Sequence, residues 1–507
     1  MPDLRNWFLN SGPIGTSIAE SRRPFGVSGP VHPVSTPGLQ QSPGQVVSVS
    51  NREFGETIWK AALRCLYWRA HGPSQRQGVS IVAKRIQFSR RSFLAGMAAA
   101  GVGAVQPAAS ARRVSANDRV RIAVIGNGGM GSRHIEALAV NPNCQLAALC
   151  DVYTPRFEEN QKKVEELSGQ RPDGYQDFRR VLDRKDIDAI FIATPDHWHP
   201  LLTILGCEAG KDVYVEKPVC PTIQEGRAMV DAARRYGRVV QVGTQQRSMP
   251  VFQKAIEVIH QGQIGEVVTA TAFIDVNGWT IGEHIEEPPP GLDWDLWLGP
   301  APKVPYSPQR FGGFMGWHDY ARGGQLTNWG VHLMDIVHWG IRADRPLNVS
   351  AVGGSYRHSP GQDNYETIEA SFEYAGCNVT WEQRHSNIHQ QKFYGIRFFG
   401  TEGQLVVDRG SYVVRPSSLG VPDFVGEPEK SWANTDHHNN FFHCIKTREK
   451  PAADIEQGFR STAAVLLAGI ALKTGRRLDW DAENETILHD PQANRHLSRA
   501  YRAPWHL

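Results

Sequence analysis

Cysteine is scarce and unpatterned. The 507-residue chain holds seven, at positions 65, 144, 150, 207, 220, 377 and 444, and no two form a CxxC pair. That spacing excludes a disulfide scaffold or a thiolate metal cluster and predicts buried free thiols. Long hydrophobic runs are also missing: nothing reaches the roughly 20 apolar residues that a bilayer-spanning helix needs. Strong charge of one sign is absent where a folded body is expected. The net charge of +3 is misleading, because residues 1–111 carry 12 Lys/Arg against 4 Asp/Glu and the remainder carries 43 against 48. A mildly acidic body lacks the basic footprint of a nucleic-acid binder. Metal-ligand spacing is lacking too. Asp196-His197-Trp198-His199 and His437-His438 have no cysteine or carboxylate cluster around them at ligand spacing, so no metal is expected.

What is present begins with an odd N-terminus. Residues 1–80 are rich in Pro, Gly and Ser and show little periodicity, which reads as disorder or a mis-assigned extension. Residues 81–111 follow with Arg90-Arg91, a short weakly apolar run and a small-residue end at Ala109-Ser110-Ala111. This is secretory-signal grammar, and it resembles a twin-arginine signal. The expected consequences are a periplasmic or otherwise exported mature protein, handled by the twin-arginine machinery. No Met occurs between Met1 and Met97, so the true start is expected near Val79 or Val82.

Residues 118–244 alternate apolar runs with helical patterns, as a doubly wound parallel sheet does. The apolar run from Val120 leads into Gly126-Asn127-Gly128-Gly129-Met130-Gly131. Glycines between a strand and a helix let backbone N–H groups approach a pyrophosphate. The second strand ends in Asp151, placed to accept hydrogen bonds from ribose hydroxyls and to repel a 2′-phosphate. NAD is therefore expected, with Arg156 leaving NADP possible. Ligands of such sheets bind at the carboxyl ends of the strands. That rule selects Thr194, Pro195 and His199, then Glu216 and Lys217, then Gln245 and Arg247. His197 is expected to be structural. Lys217 precedes a proline at the ligand edge, where partial burial would lower its pKa and allow proton exchange near neutrality. Thr222-x-x-Glu225 reads as a capping box.

In residues 245–507 the period changes to two. Alternating segments at 267–275, 347–356, 364–375, 377–386, 393–400 and 403–416 predict a large, open, mostly antiparallel sheet with one face covered. A homo-oligomer through that sheet is expected. A helix is predicted over 459–475, with Gly475 as its C-cap. The stretch 277–340 is irregular and tryptophan-rich. Most of its aromatics suit core or loop-anchor positions, yet Trp279 and Tyr320 could line a carbohydrate cleft. Within it, Asn328, His332 and Asp335 stand at helical spacing, so they share one face.

Taken in order, GxGxxG, Asp151, Ala193-Thr194-Pro195-Asp196-His197-Trp198-His199, Glu216-Lys217-Pro218, and a Gly-Gly turn before a His-containing helix resemble the Gfo/Idh/MocA oxidoreductases over about 118–480. The resemblance implies a Rossmann domain followed by an open-faced sheet domain. It also implies a nicotinamide cofactor, tightly bound, and hydride transfer to or from a carbinol carbon of a sugar, glycoside or polyol. It makes Lys217 and His332 the proton-transfer pair and puts Asn328 where the family carries Asp. Asp335 matches a second acidic position, expected to face substrate with Arg247, Trp279 and Tyr320. Asn328 is expected to orient the His332 ring without adding charge. Two alternatives stay open: an NAD-dependent glycoside hydrolase or lyase working through transient oxidation, and a non-catalytic sugar-binding relative.

Overall fold

The computed structural model describes residues 118–275, 282–356, 363–384, 392–426 and 435–507. The proposed signal segment, the extension before it and Trp279 lie outside the described residues. Both sheets described below belong to one compact unit.

The first sheet is built from short runs that are apolar on both faces, as buried parallel strands require. β1 (Val120–Ile125), β2 (Cys144–Cys150), β3 (Asp173–Tyr175), β4 (Ala189–Ile192), β5 (Asp212–Val215) and β6 (Val240–Val242) lie in the order β3-β2-β1-β4-β5-β6. Every pairing is parallel. The chain reverses its winding between β1 and β4, which opens the crevice where such sheets bind ligands. α1 (Gly129–Ala139) leaves β1 through the glycine turn, α2 (Thr154–Ser168) follows β2, α3 (His199–Glu208) follows β4, and α4 (Ile223–Arg235) follows β5.

α5 (Pro250–His260) leads to the second sheet, which begins with β7 (Val267–Asp275). Then come α6 (Gln325–Asn328), α7 (Gly330–Ile341), β8 (Asn348–Gly354), β9 (Thr367–Tyr374), β10 (Cys377–Arg384), β11 (Tyr394–Gly400), β12 (Gln404–Val407), β13 (Ser411–Arg415) and β14 (Phe424–Val425). After α8 (Thr435–Thr447) and α9 (Ile455–Thr474), β15 (Leu478–Asp481) and β16 (Thr486–Ile487) complete it. The ten strands run β14-β13-β12-β11-β7-β10-β9-β8-β15-β16. β7 and β10 pair in parallel, and the other strand pairs are antiparallel. β9 and β10 alternate buried and more exposed residues along their length. One face packs under α5, α7 and α9, burying Phe372, Trp381 and Phe398 completely. The fold expected from the sequence is thus observed: a doubly wound parallel sheet followed by a large, mostly antiparallel one.

Three local readings change. The segment 403–416 is not one strand. Asp408 accepts from the N–H groups of Gly410 and Ser411, both at 2.8 Å, and turns the chain between β12 and β13. Thr222 does not cap α4 with its side chain; its hydroxyl donates instead to the Glu225 carboxylate at 2.6 Å. α9 begins at Ile455, a turn earlier than expected, because Asp454 and Gln457 form the capping box there. It ends as expected at Gly475, with φ +66°.

Candidate active site at the strand ends

The dinucleotide turn is set by steric necessity. Gly126 has φ +89°, and a Cβ there would meet the Ala193 carbonyl oxygen at 2.6 Å. At Gly131 a Cβ would fall 1.9 Å from the Gly126 oxygen. Gly129 has open space beside it, and Gly128 faces only the Arg156 guanidinium, 3.7 Å away. Strand, turn and helix therefore approach as closely as backbone allows, leaving an open cradle at the head of α1. Met130 lies in the first turn of that helix. Asp151 accepts from the N–H of Asn127 at 2.6 Å and of Tyr153 at 2.9 Å. Its carboxyl is raised above the usual range by burial, with Arg156 opposing the rise. Arg156 lies over the Phe311 ring, 4.4 Å from its centroid. The side-chain oxygens of Asn127 and Thr194 are buried around this crevice without a hydrogen-bond partner among the described residues. These features fit a dinucleotide, whose pyrophosphate the 126–131 backbone would hold and whose ribose Asp151 would meet. Pro195 precedes the short turn that starts at Asp196, and Gln245 opens the turn after β6.

Two histidines fix the floor. His199 places Nδ1 2.7 Å from the Pro218 oxygen and Nε2 2.9 Å from the Thr194 oxygen. Both ring nitrogens thus face backbone carbonyls, one of which accepts the single N–H of the neutral ring, so His199 sits between two strand-end loops rather than presenting a free nitrogen to cofactor. His197 is held by the Trp297 carbonyl at 2.9 Å. Glu216 is also engaged: His134 of α1 contacts its Oε1 at 2.8 Å, and the other nitrogen of His134 lies 2.9 Å from His438 of α8. This buried thread ties the nucleotide helix to the segment carrying Lys217.

Lys217 donates to the Asn328 side-chain oxygen at 2.6 Å and to the Asn328 carbonyl at 3.1 Å. The Asn328 amide donates in turn to Gln325 at 2.9 Å. Asn328 therefore holds the lysine, not the His332 ring as the spacing suggested. The expected single helix face is interrupted: α6 stops at Asn328 and α7 starts at Gly330. His332 is buried, and its Nδ1 has no partner among the described residues. Burial pushes its pKa well below the ordinary value, and the nearby charges of Lys217 and Arg409 add to the shift. Burial lowers Lys217 as well, against the opposing carboxylates of Glu216 and Asp196.

Two contributors were not singled out from sequence. Asp196, buried at the head of the loop before α3, has its carboxyl pushed up to about 7 by burial, with the Lys217 charge opposing the rise. Arg409 sits in the unrecognised turn between β12 and β13. It stacks over Trp329 at 5.0 Å, and Trp329 packs on Tyr394 with ring centroids 4.5 Å apart.

The residues expected to face substrate fare differently. Arg247 and Asp335 form a buried bidentate pair at 2.7 and 3.0 Å, and Ser461 adds a bond to the same carboxylate at 3.1 Å. Their charges answer each other, locking the turn after β6 to α7. Tyr320 is wholly buried in a cluster with Trp297 and Trp317. Trp329 is the aromatic that lies against the His332 ring, at 6.2 Å. Among the described residues no group of three or more His, Cys, Asp and Glu is arranged to hold a metal.

Comparison with known proteins agrees with this geometry. The family model described as oxidoreductase family, NAD-binding Rossmann fold, matches residues 120–244. The model described as oxidoreductase family, C-terminal alpha/beta domain, matches 267–507. The chain belongs to the Gfo/Idh/MocA oxidoreductase family. A glycosyl hydrolase family 109 protein of Saccharopolyspora erythraea is 28% identical over 204 residues, 36% of this chain and 44% of the relative. The scyllo-inositol 2-dehydrogenase (NAD(+)) of Bacillus subtilis is 30% identical over 171 residues, 33% of this chain and 48% of the relative. The match thus spans less than half the length of either curated relative. Among solved structures, aldose-aldose oxidoreductase from Caulobacter crescentus, complexed with glycerol, superposes with a TM-score of 0.55 at 23% identity. That match covers 71% of this chain and 99% of the other.

Proposed function

We propose that the protein is an NAD-dependent oxidoreductase acting on a carbinol carbon of a sugar, glycoside or polyol. The observation that carries this reading is the meeting of Lys217, Asn328 and His332 at the edge of a glycine-built dinucleotide cradle. Bound NAD supplies the ring carbon that accepts or returns the carbinol hydrogen with its electron pair. Lys217, whose pKa is lowered by burial, hydrogen-bonds the reacting oxygen. His332 is neutral at pH 7 and receives the hydroxyl proton as general base. Trp329, with Arg409 stacked over it, offers an aromatic face to the C–H surface of the substrate. Holding alcohol and cofactor together accounts for much of the acceleration, up to ~7–11 kcal/mol in favourable cases.

The scyllo-inositol dehydrogenase among the relatives supports the substrate class. The glycosyl hydrolase relative supports a second reading, transient oxidation followed by elimination and hydration of a glycoside. A panel of monosaccharides, polyols and aryl glycosides separates them. The first reading expects sugar-dependent gain of reduced-nicotinamide absorbance. The second expects released aglycone with no net reduced cofactor. Failure to bind NAD, or inertness toward the whole panel, would overturn both and favour a non-catalytic sugar binder.

Export through the twin-arginine route belongs to the same proposal. Arg90-Arg91 and the small-residue end at 109–111 support it, and peptides from residues 10–70 in the expressed precursor would refute the late start. The open face of the ten-stranded sheet supports a homo-oligomer, which light scattering would test.

A further inference from the structure

Several basic groups outside the site above are held by acidic partners. Arg227 meets Glu456 and Glu485, Arg448 meets Asp212, and Arg499 meets Glu225. One cluster of basic groups around a crevice has none among the described residues. A small, half-open crevice lies between the start of α4, the loop before α6, and the C-terminal half of α9. His318, Arg322, Lys473 and His496 line it, and no acidic residue does. Arg322 Nε and His318 Nδ1 are buried with no hydrogen-bond partner among the described residues. None of the four side chains makes an ion pair among the described residues.

The acidic groups around them are committed elsewhere. Glu225 is held by Arg499 at 2.8 Å, Tyr501 at 2.6 Å and Thr222 at 2.6 Å. Asp363 accepts the His318 backbone N–H at 3.2 Å, and Asp319 stands 4.0 Å from Arg310. Positive charge on Lys473 and Arg322 therefore disfavours protonation of the two histidines. His318 is lowered to about 4 by burial, and then by the charges of Lys473 and Arg322. Arg322 is itself lowered, by burial first and Arg499 second. Convergent, uncompensated donors around a cavity are costly unless an anion joins them.

We propose that this crevice is a binding site for a small oxyanion of the phosphate or sulfate type, seated between Arg322, His318 and Lys473. Its walls make it more than a surface patch. Pro221 and Thr222 lie just beyond Lys217-Pro218, and Arg322 lies just before the Gly323-Gly324 turn that leads to Asn328. An anion bridging the two walls clamps together the segments that supply Lys217 and its acceptor. It therefore stabilises the fold and tightens the Lys217–Asn328 contact from behind.

The test is a thermal melt of the full chain, with saturating NAD so that the pyrophosphate cradle is filled, and again without NAD. Inorganic phosphate is titrated against sodium chloride at matched ionic strength, with glucose 6-phosphate as a second arm to distinguish a free anion from a phosphate ester. Phosphate at about 100 times its dissociation constant should raise the midpoint by about 3–5 °C, and equal ionic strength of chloride should not. The double variant Arg322→Gln/Lys473→Gln should melt higher than the parent in phosphate-free buffer, because repulsion is relieved, and should gain nothing from phosphate. A second readout needs no variant: phosphate should slow amine-reagent labelling of Lys473 several-fold, read by mass spectrometry. Equal effects of phosphate and chloride, an undiminished response in the double variant, or unchanged labelling would overturn the proposal. Loss of the effect with NAD-dependent turnover intact counts against this site alone. The reverse pattern counts against the oxidoreductase reading.

Discussion

The two halves of the site are made in different ways. On the parallel-sheet side the crevice is made of backbone: Gly126 and Gly131 are pressed against carbonyl oxygens, and the loops beyond β4 and β5 are pinned through theirs. On the side that joins the second sheet it is made of side chains: Asn328, His332 and Arg409 come from a broken helix and a hairpin turn. A backbone-built surface tolerates no added atom, whereas a side-chain-built one can be retuned by a single exchange. Variants should therefore fail abruptly on the first side and by degrees on the second.

The largest effect is expected at Gly131→Ala. Its Cβ has no space that a side-chain shift could free, because the obstacle is the Gly126 carbonyl. NAD binding, followed by calorimetry, should be abolished; retention of even a tenth of the affinity would contradict the steric argument. Next comes Lys217→Met, which keeps bulk and removes the donor. Turnover should fall about 10³-fold, within the range typical of a positioned proton-transfer group, while NAD still binds. A smaller loss than tenfold would remove Lys217 from the chemistry.

A third effect concerns acid stability. His437, bonded to the Val242 carbonyl and to Ser248, has its pKa lowered to about 4, chiefly by burial. An unfolded histidine titrates near 6.5, so below that pH the unfolded chain binds the extra proton. Stability contributed by the neutral ring is complete above about pH 6.5 and lost as pH falls toward 4, by about 3 kcal/mol. Chemical denaturation at pH 7 and pH 4.5 should show a smaller difference in His437→Gln than in the parent.

The smallest effects sharpen the side-chain half. Because His332 stays neutral through the physiological range, the rate profile should lack an inflection of its own near pH 6.5. An inflection near 7 should instead follow Asp196 and its charge coupling to Lys217, and Asp196→Asn should remove it. The sign of the stability change runs opposite to that of His437. A carboxyl raised from its unfolded value costs stability as pH climbs from about 4 through 7, so the Asn variant should melt higher at pH 8. Asn328→Asp should change kcat by no more than about tenfold, while raising the pKa of Lys217, whose ammonium it contacts.

The same contrast explains what could be read in advance. The glycine turn, Asp151 and Lys217 were legible because strand ends and steric exclusion constrain residue type directly. Arg409 was hidden because Asp408-Arg409-Gly410 interrupts a β-like run by a turn that only its hydrogen bonds reveal. Asn328 meets Lys217 rather than His332 because Trp329 separates two helices where the periodicity suggests one. Arg247 and Asp335 looked available because each is polar and near a strand end or helix face. Their pairing joins positions 88 residues apart, and no local pattern announces it. The His134–His438 contact spans 304 residues and is equally silent in sequence.

His199 carries a practical lesson for anyone rebuilding this crevice. One imidazole ring spans the carbonyls that end two neighbouring loops, so neither loop is an independent module. Grafting a foreign segment after β4 without its counterpart after β5 would leave the ring touching one rim only, and the new loop would drift from the lysine it was meant to serve. Transplants here should move both rims and the ring as one piece.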